Sequence, residues 1–157
     1  VINNAVGNPL LNDGPNFLSG YLEVNNEFGG LALSKEKYNG KIRAKRISND
    51  FEQLNTVIGI IATDAPLNRM QLKRMSIMCH GSISRSIHPS HTPMDGDTIF
   101  AISTSELSYY ASDEINKLDL TIINTIASDT FARACNRAIF EARNIGNKPS
   151  WKDLFNN

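Results

Sequence analysis

Eight residues, Thr56–Thr63, read Thr-Val-Ile-Gly-Ile-Ile-Ala-Thr and constrain the rest of the chain more than any other stretch. Val57, Ile58, Ile60 and Ile61 are β-branched and nearly continuous, the pattern of a strand buried on both faces. Such a strand needs cover on each side, so other parts of the sequence must supply it. Asp64-Ala65-Pro66 ends the run. Asn68 is placed to cap a helix whose apolar positions Leu72, Met75, Cys79, Ile83 and Ile87 step by three or four. Lys73, Arg74 and Arg85 fall off that stripe. Gly81, Ser82 and Ser84 are small enough to let the helix lie close to a sheet or another helix, and His88-Pro89 stops it.

The loop 90–96 then delivers a second buried strand, 98–102. After a polar stretch around Tyr109, Tyr110 and Asp113 comes the longest helix, about 119–143. Its stripe is Ile123, Ile126, Ala127, Phe131, Ala134, Ala138 and Ala142, with Asp129 and Arg133 as an i,i+4 pair and Gly146 as a natural stop. Strand, helix, strand, helix implies a layered α/β arrangement with helices covering a sheet.

Upstream the signals are weaker. Residues 1–6 read as a short strand closed by Gly7-Asn8-Pro9, although Asn3 and Asn4 are poor strand formers. Residues 8–54 are rich in Asn, Gly, Pro and Ser without lasting periodicity, as in a long excursion or mobile linker. Lys35, Lys37, Lys41, Arg43, Lys45 and Arg46 make part of it basic. Glu36 interrupts that run and no aromatic ladder accompanies it, which favours a solvated loop over a nucleic-acid patch.

At 157 residues the chain is one domain's worth of sequence, and Lys+Arg balance Asp+Glu at 16 each. No global field therefore favours nucleic acid or an anionic membrane. No apolar run reaches a dozen residues, far short of a bilayer span. Cys79 and Cys135 lie within helical patterns and read as small buried side chains in a reducing compartment, so a cytoplasmic location is expected. The first residues look like the middle of a strand, which suggests further sequence upstream.

Where could chemistry sit? Thr56 opens a buried strand, and Asn55 precedes it where a polar, irregular segment meets that strand. Cleavage of the Asn55–Thr56 bond would give Thr56 a hydroxyl and a free α-amine together. An amine with an ordinary pKa of about 7.7–8.0 is a base poised near physiological pH, so nucleophile and base would share one residue. Asp95-Gly96-Asp97 is a turn that could bring two carboxylates to the mouth of the next strand, one facing the site and one capping the turn. The sequence does not say which does which. His80, His88 and His91 lack a Cys or acidic partner at ligand spacing, which argues against a metal. No Gly-x-Ser-x-Gly elbow supports a Ser-His-Asp triad, and Gly29-Gly30 lacks the Lys and helix of a phosphate loop.

Three stretches together resemble the DmpA family of L-aminopeptidase/D-esterases, β-aminopeptidases and nylon-oligomer hydrolases. They are residues 55–65 (Asn-Thr-Val-Ile-Gly-Ile-Ile-Ala-Thr-Asp-Ala), Gln71-Leu72-Lys73-Arg74-Met75, and residues 91–101 (His-Thr-Pro-Met-Asp-Gly-Asp-Thr-Ile-Phe-Ala). Asn4-Ala5-Val6-Gly7 is similar to a strand of the family's α subunit. The resemblance is good from Thr56 to about Arg143, fair over the first residues and slight over 8–54.

The resemblance implies a four-layer αββα sandwich, with helices on the outer faces of two sheets, shared in architecture with ornithine acetyltransferases. It implies a precursor that cuts itself, so that 1–55 ends an α subunit, 56–157 forms the β subunit, and both are parts of one domain. Thr56 would be the nucleophile and Asn55–Thr56 the processing site. Asn4 would support the nucleophile and oxyanion, and Asp95 and Asp97 would match the acidic pair of the nylon-hydrolase branch. Expected partners are the rest of the α subunit, further αβ units and a small peptide, amide or ester substrate, with no cofactor, nucleic acid or membrane. Most of the α subunit, including a family Lys or Tyr near the nucleophile, has no counterpart here. Two alternatives stand beside the hydrolase: an unprocessed scaffold relative, and an acyltransferase of the ornithine acetyltransferase type, whose junction motif is absent.

Overall fold

The computed structural model describes residues 1–31, 33–42, 55–105 and 115–155. It is a mixed α/β structure built on a three-stranded sheet, β1 (Ile2–Asn4), β2 (Thr56–Thr63) and β3 (Thr98–Ser103), in the order β1-β2-β3. β1 runs antiparallel to β2, with Ile2 opposite Ile58 and Asn4 opposite Thr56. β3 runs parallel to β2, with Ile58 beside Thr98 and Thr63 beside Ser103. A parallel pair needs a crossover, and α1 (Arg69–Ser86) supplies it. Asn68 caps α1 as its sequence suggests. Its side chain accepts from the Gln71 N–H, and the Gln71 side chain accepts from the Asn68 N–H, a reciprocal box that satisfies two otherwise orphaned donors.

α1 and α2 (Lys117–Phe140) lie together on one face of the sheet. Val57, Leu67, Met75, Cys79, Ile83, Ile87, Phe131 and Cys135 form the core between them. The close approach of the helices rests on serines. Ser82 Oγ donates to the Ser128 carbonyl at 2.6 Å, and Ser86, also buried, donates to the Ser82 carbonyl. Gly59 lets β2 approach α2, because a Cβ there would lie 2.4 Å from the Phe131 ring. Both cysteines are free and buried. Burial pushes the Cys79 thiol up to about 11 and the Cys135 thiol up to about 12.

Several expectations need correction. β2 is not buried on both faces: Val57 and Gly59 are covered, whereas Ile58 is 44% and Ile60 64% exposed. On β3, Ile99 is buried but Phe100 is 56% and Ile102 46% exposed. The described helices cover one face only, so alternate residues of both strands point into the open. The stripe of α2 is also rotated from the expected one. Its buried positions are Asn124, Ala127, Ser128, Phe131, Ala132, Cys135 and Asn136, while Ile126 is exposed. Asp129 and Arg133 do not pair along the helix. Asp129 binds Arg85 of α1, and Arg133 reaches Glu27, because tertiary partners stand closer to each. Gly81 of α1 faces open space rather than a packed neighbour. α2 stops at Phe140, capped by Glu141, and Gly146 instead serves the turn that bridges Ile145 and Lys148.

The segment after residue 8 is not a bare linker where it is described. Phe17 and Phe28 pack edge to face, and Trp151 of a short helix α3 (Trp151–Phe155) stacks on Phe17. This second aromatic cluster also takes in Leu10, Ile139 and Phe140. Lys35, Lys37 and Lys41 are exposed. Arg43, Lys45 and Arg46, and the stretch around Tyr109, Tyr110 and Asp113, lie outside the described residues. Among the described residues no helix is long and apolar enough to cross a membrane.

Candidate active site

Thr56 is the first residue of β2, and three segments converge on it. Across the antiparallel ladder it faces Asn4, so the two side chains share one sheet face. That face is the open one, which also carries Ile58 and Ile60. On the other side, Asn55 forms a parallel bridge with Asp95, just ahead of β3. The strand register thus brings β1, the Asn55–Thr56 junction and the Asp95-Gly96-Asp97 turn to one end of the sheet.

The junction peptide is held at its carbonyl. Thr56 Oγ1 lies 2.5 Å from the Asn55 oxygen and donates to it, and the Gly96 N–H donates to the same oxygen at 2.9 Å. Asn55 itself is 2% exposed. Gly96 fits here for lack of a side chain, since a Cβ would lie 3.3 Å from Thr56 Oγ1.

The two carboxylates divide the work that the sequence left unassigned. Asp95 shapes the loop. One of its oxygens accepts from Thr92 N–H and Thr92 Oγ1, and the other accepts the Val6 N–H at 3.1 Å, tying β1's exit to the turn. Asp97 faces the strand. Its Oδ1 accepts the Val57 N–H at 2.8 Å, one residue beyond Thr56, and its Oδ2 lies 2.7 Å from His91 Nδ1. The Asp97 side chain is only 4% exposed, so both bonds operate where water competes little.

His91 is the residue that sequence reasoning passed over, having been weighed only as a metal ligand. Its second nitrogen, Nε2, lies 3.1 Å from the His80 carbonyl. The signal that could have found it is its place at the start of the same turn that ends in Asp97. The rings of His80 and His91 stand 5.3 Å apart. Burial, joined by the positive charge of His91 and opposed by Asp97, pulls His80 below the ordinary histidine range. His88 lies apart from them and packs edge-on against Tyr38. Cavities of about 240 and 290 Å³ near Phe17 and Tyr38 include none of Asn4, Thr56, Asp95 or Asp97.

The fold and this site together define a mixed α/β protein with a strand-initial hydroxyl set against its own peptide carbonyl and two carboxylates behind it. The chain belongs to peptidase family S58, which it matches over residues 10–150. This is the DmpA family of the resemblance, a family of hydrolases. It is 35% identical over 107 residues to an uncharacterised aminopeptidase of Mycobacterium tuberculosis, covering 64% of this chain and 31% of that protein. An uncharacterised aminopeptidase of Mycobacterium leprae is 29% identical over 161 residues, covering 99% of this chain and 41% of its own length. A 6-aminohexanoate-oligomer endohydrolase of Agromyces is 31% identical over 90 residues, 55% of this chain and 25% of that enzyme. The chain therefore spans well under half the length of these relatives.

Proposed function

We propose that this chain belongs to a self-cleaving hydrolase that attacks amide or ester carbonyls with an N-terminal threonine, Thr56. The observation that carries the reading is the Asn55 carbonyl, which holds the Thr56 hydroxyl at 2.5 Å and the Gly96 N–H at 2.9 Å. The first group is a nucleophile beside its own peptide bond. The second is a fixed dipole aimed at the oxygen that becomes negative on attack.

In processing, Thr56 Oγ1 bonds to the Asn55 carbonyl carbon, the Asn55–Thr56 C–N bond breaks, and the hydroxyl proton passes to the departing nitrogen. The resulting ester is hydrolysed by water, leaving a carboxylate on Asn55 and a free amine on Thr56. In catalysis the same oxygen attacks a substrate carbonyl and the α-amine takes its proton. An acyl-enzyme forms, the substrate's amine or alcohol leaves with a proton, and water regenerates the hydroxyl. Asp97 holds the backbone beside Thr56, Asp95 holds the turn, and Asn4, paired opposite Thr56, would steady the oxyanion. The nucleophile and base on one residue ask for no cofactor.

The names of the relatives support amides as substrates, either amino-acid amides and peptides or linear oligomers. The open sheet face supports a reading of the rest of the assembly. Ile2, Ile58, Ile60, Phe100 and Ile102 form an apolar surface too continuous to face water. We assign its cover to a second sheet from sequence outside this chain, completing a four-layer αββα sandwich. Residues 1–55 would then end one subunit, 56–157 would form the other, and αβ units would associate in the cytoplasm.

The test is the intact mass of the complete protein under denaturing conditions, beside Thr56→Ala. Two fragments, one starting at Thr56, that merge into one chain in the variant are expected. A single uncut chain in both samples would overturn the mechanism and favour the scaffold reading. Acetyl transfer from acetylornithine to glutamate in place of hydrolysis would favour the acyltransferase.

A further inference from the structure

The His91 ring has two nitrogens, and each faces a group that can accept a proton bond. Nε2 meets the His80 backbone carbonyl at 3.1 Å, and a carbonyl oxygen has no proton to give. Nδ1 meets Asp97 Oδ2 at 2.7 Å. Both ring nitrogens are therefore engaged, and the ring bridges the His80 carbonyl and the Asp97 carboxylate.

We propose that His91 is a positioning residue for the Thr56 site: its ring spans the His80 carbonyl and Asp97, and so fixes the carboxylate that holds the Val57 N–H. The inference rests on the Thr56 reading above. It stands against the obvious alternative, a base that takes the Thr56 proton, because both ring nitrogens are already engaged elsewhere. Asp97 cannot hold β2 in place unless something holds Asp97, and among the described residues its turn is otherwise tied to the strands through Asp95 and Gly96. The loop accepts strain at this point, for His91 sits at φ 52°, a left-handed conformation that side chains seldom adopt. The bonds at both ring nitrogens keep it there.

The charged surroundings fit the assignment. Asp97 bonds the ring directly, Asp95 lies two residues away on the same turn, and on the α1 side stand the cationic Lys73 and His80, the latter pulled by burial below the ordinary histidine range. Cys135 of α2 lies within reach of the Asp97 charge and remains a neutral thiol. His91 therefore holds the Asp97 carboxylate in place, and Asp97 keeps the residue after Thr56 in line.

The test uses the complete protein made as an unfolded, uncut precursor and refolded at neutral pH, with cleavage at Asn55–Thr56 followed over time by intact mass. His91→Ala should slow cleavage by about tenfold or more, because the attacking hydroxyl loses its alignment. His91→Gln, which restores one donor toward Asp97, should recover part of the rate. Wild type that cleaves, with both variants cleaving at its rate, overturns the inference while the Thr56 reading stands. A His91→Gln variant that cleaves no faster than His91→Ala also overturns it, by showing that the bond to Asp97 does not set the rate. If wild type itself is never cut, the Thr56 reading fails and this inference falls with it.

Discussion

Gly59→Ala tests how closely the strand that carries Thr56 is held against α2. The added Cβ would lie 2.4 Å from both Cε2 and Cζ of Phe131. Carbon atoms settle at about 3.5–4.0 Å, so the ring must retreat by more than about 1 Å. Phe131 is fully buried among Val57, Met75, Cys79 and Cys135, which leaves it nowhere to go without moving α2. Overpacking of this kind costs about 1–3 kcal/mol, and a clash with the side of a ring in a closed core belongs near the top of that range. The stiffer unfolded chain offsets about 0.4–1 kcal/mol. The net expectation is a loss of about 2 kcal/mol. Urea denaturation of the complete protein measures it, alongside Phe131→Leu and the double variant. The smaller leucine makes room for the new methyl, so the double variant should lose less than the sum of the singles by at least about 1 kcal/mol. A neutral or stabilised Gly59→Ala, or strictly additive losses, would refute the close packing. Phe131 would then not set the height of β2.

Glu27 is held below the usual carboxylate range by its hydrogen bond to Arg133, with burial opposing. A lowered folded pKa means that its contribution is complete above the ordinary value of 4.5 and disappears as pH falls through the lowered one. Glu27→Gln should therefore be less stable than wild type at neutral pH and match it in acid, as thermal melts at several pH values would read. The Cys79 and Cys135 thiols, raised to about 11 and about 12, should resist iodoacetamide in the native protein and react once it is unfolded in guanidinium. Mass spectrometry counts the adducts, and labelling of the native protein would contradict their burial. Ile60→Glu bears on the open sheet face. If a second sheet covers Ile60 in the complete protein, the variant should lose at least about 2 kcal/mol, whereas a solvent-facing site should change by no more than about 0.5 kcal/mol.

The sequence was most legible where local chemistry and tertiary demand agree. The β-branched run of β2 and the Asn68 cap with Gln71 specify their elements without help from distant residues. The parallel pairing of β2 with β3 follows once a helix stands between them. Legibility failed where one pattern admits two environments. A run such as Val57-Ile58-Gly59-Ile60-Ile61 looks the same whether one face or two are covered, and here the described residues cover only one. The α2 stripe was misplaced because Asn124, Ser128 and Asn136 are buried there, while hydrophobicity favours Ile126. The packing of Trp151 on Phe17 joins residues more than a hundred positions apart, and no local pattern announces it. At the site, the residue types of Thr56, Asp95 and Asp97 could be read, but their division of labour could not. That division depends on which N–H groups the turn presents, a matter of backbone geometry.

The alternation of β2 also decides where the proposed chemistry points. Side chains along a strand alternate between faces, so Val57 and Gly59 turn toward the helices while Thr56, Ile58 and Ile60 turn to the open side. A slip of one residue would send Thr56 into the core and bring Val57 out to take its place. Two devices oppose that slip. Gly59 alone admits the Phe131 ring, so no neighbour can stand in its position. The Asp97 carboxylate takes the Val57 N–H while the Gly96 N–H takes the Asn55 carbonyl, which pins the backbone on either side of Thr56. The burial that stabilises one face of the strand therefore aims the hydroxyl from the other. If the proposed second sheet covers the apolar residues of that face, it must leave an opening at Thr56, and the boundary between cover and opening is where a substrate carbonyl would enter.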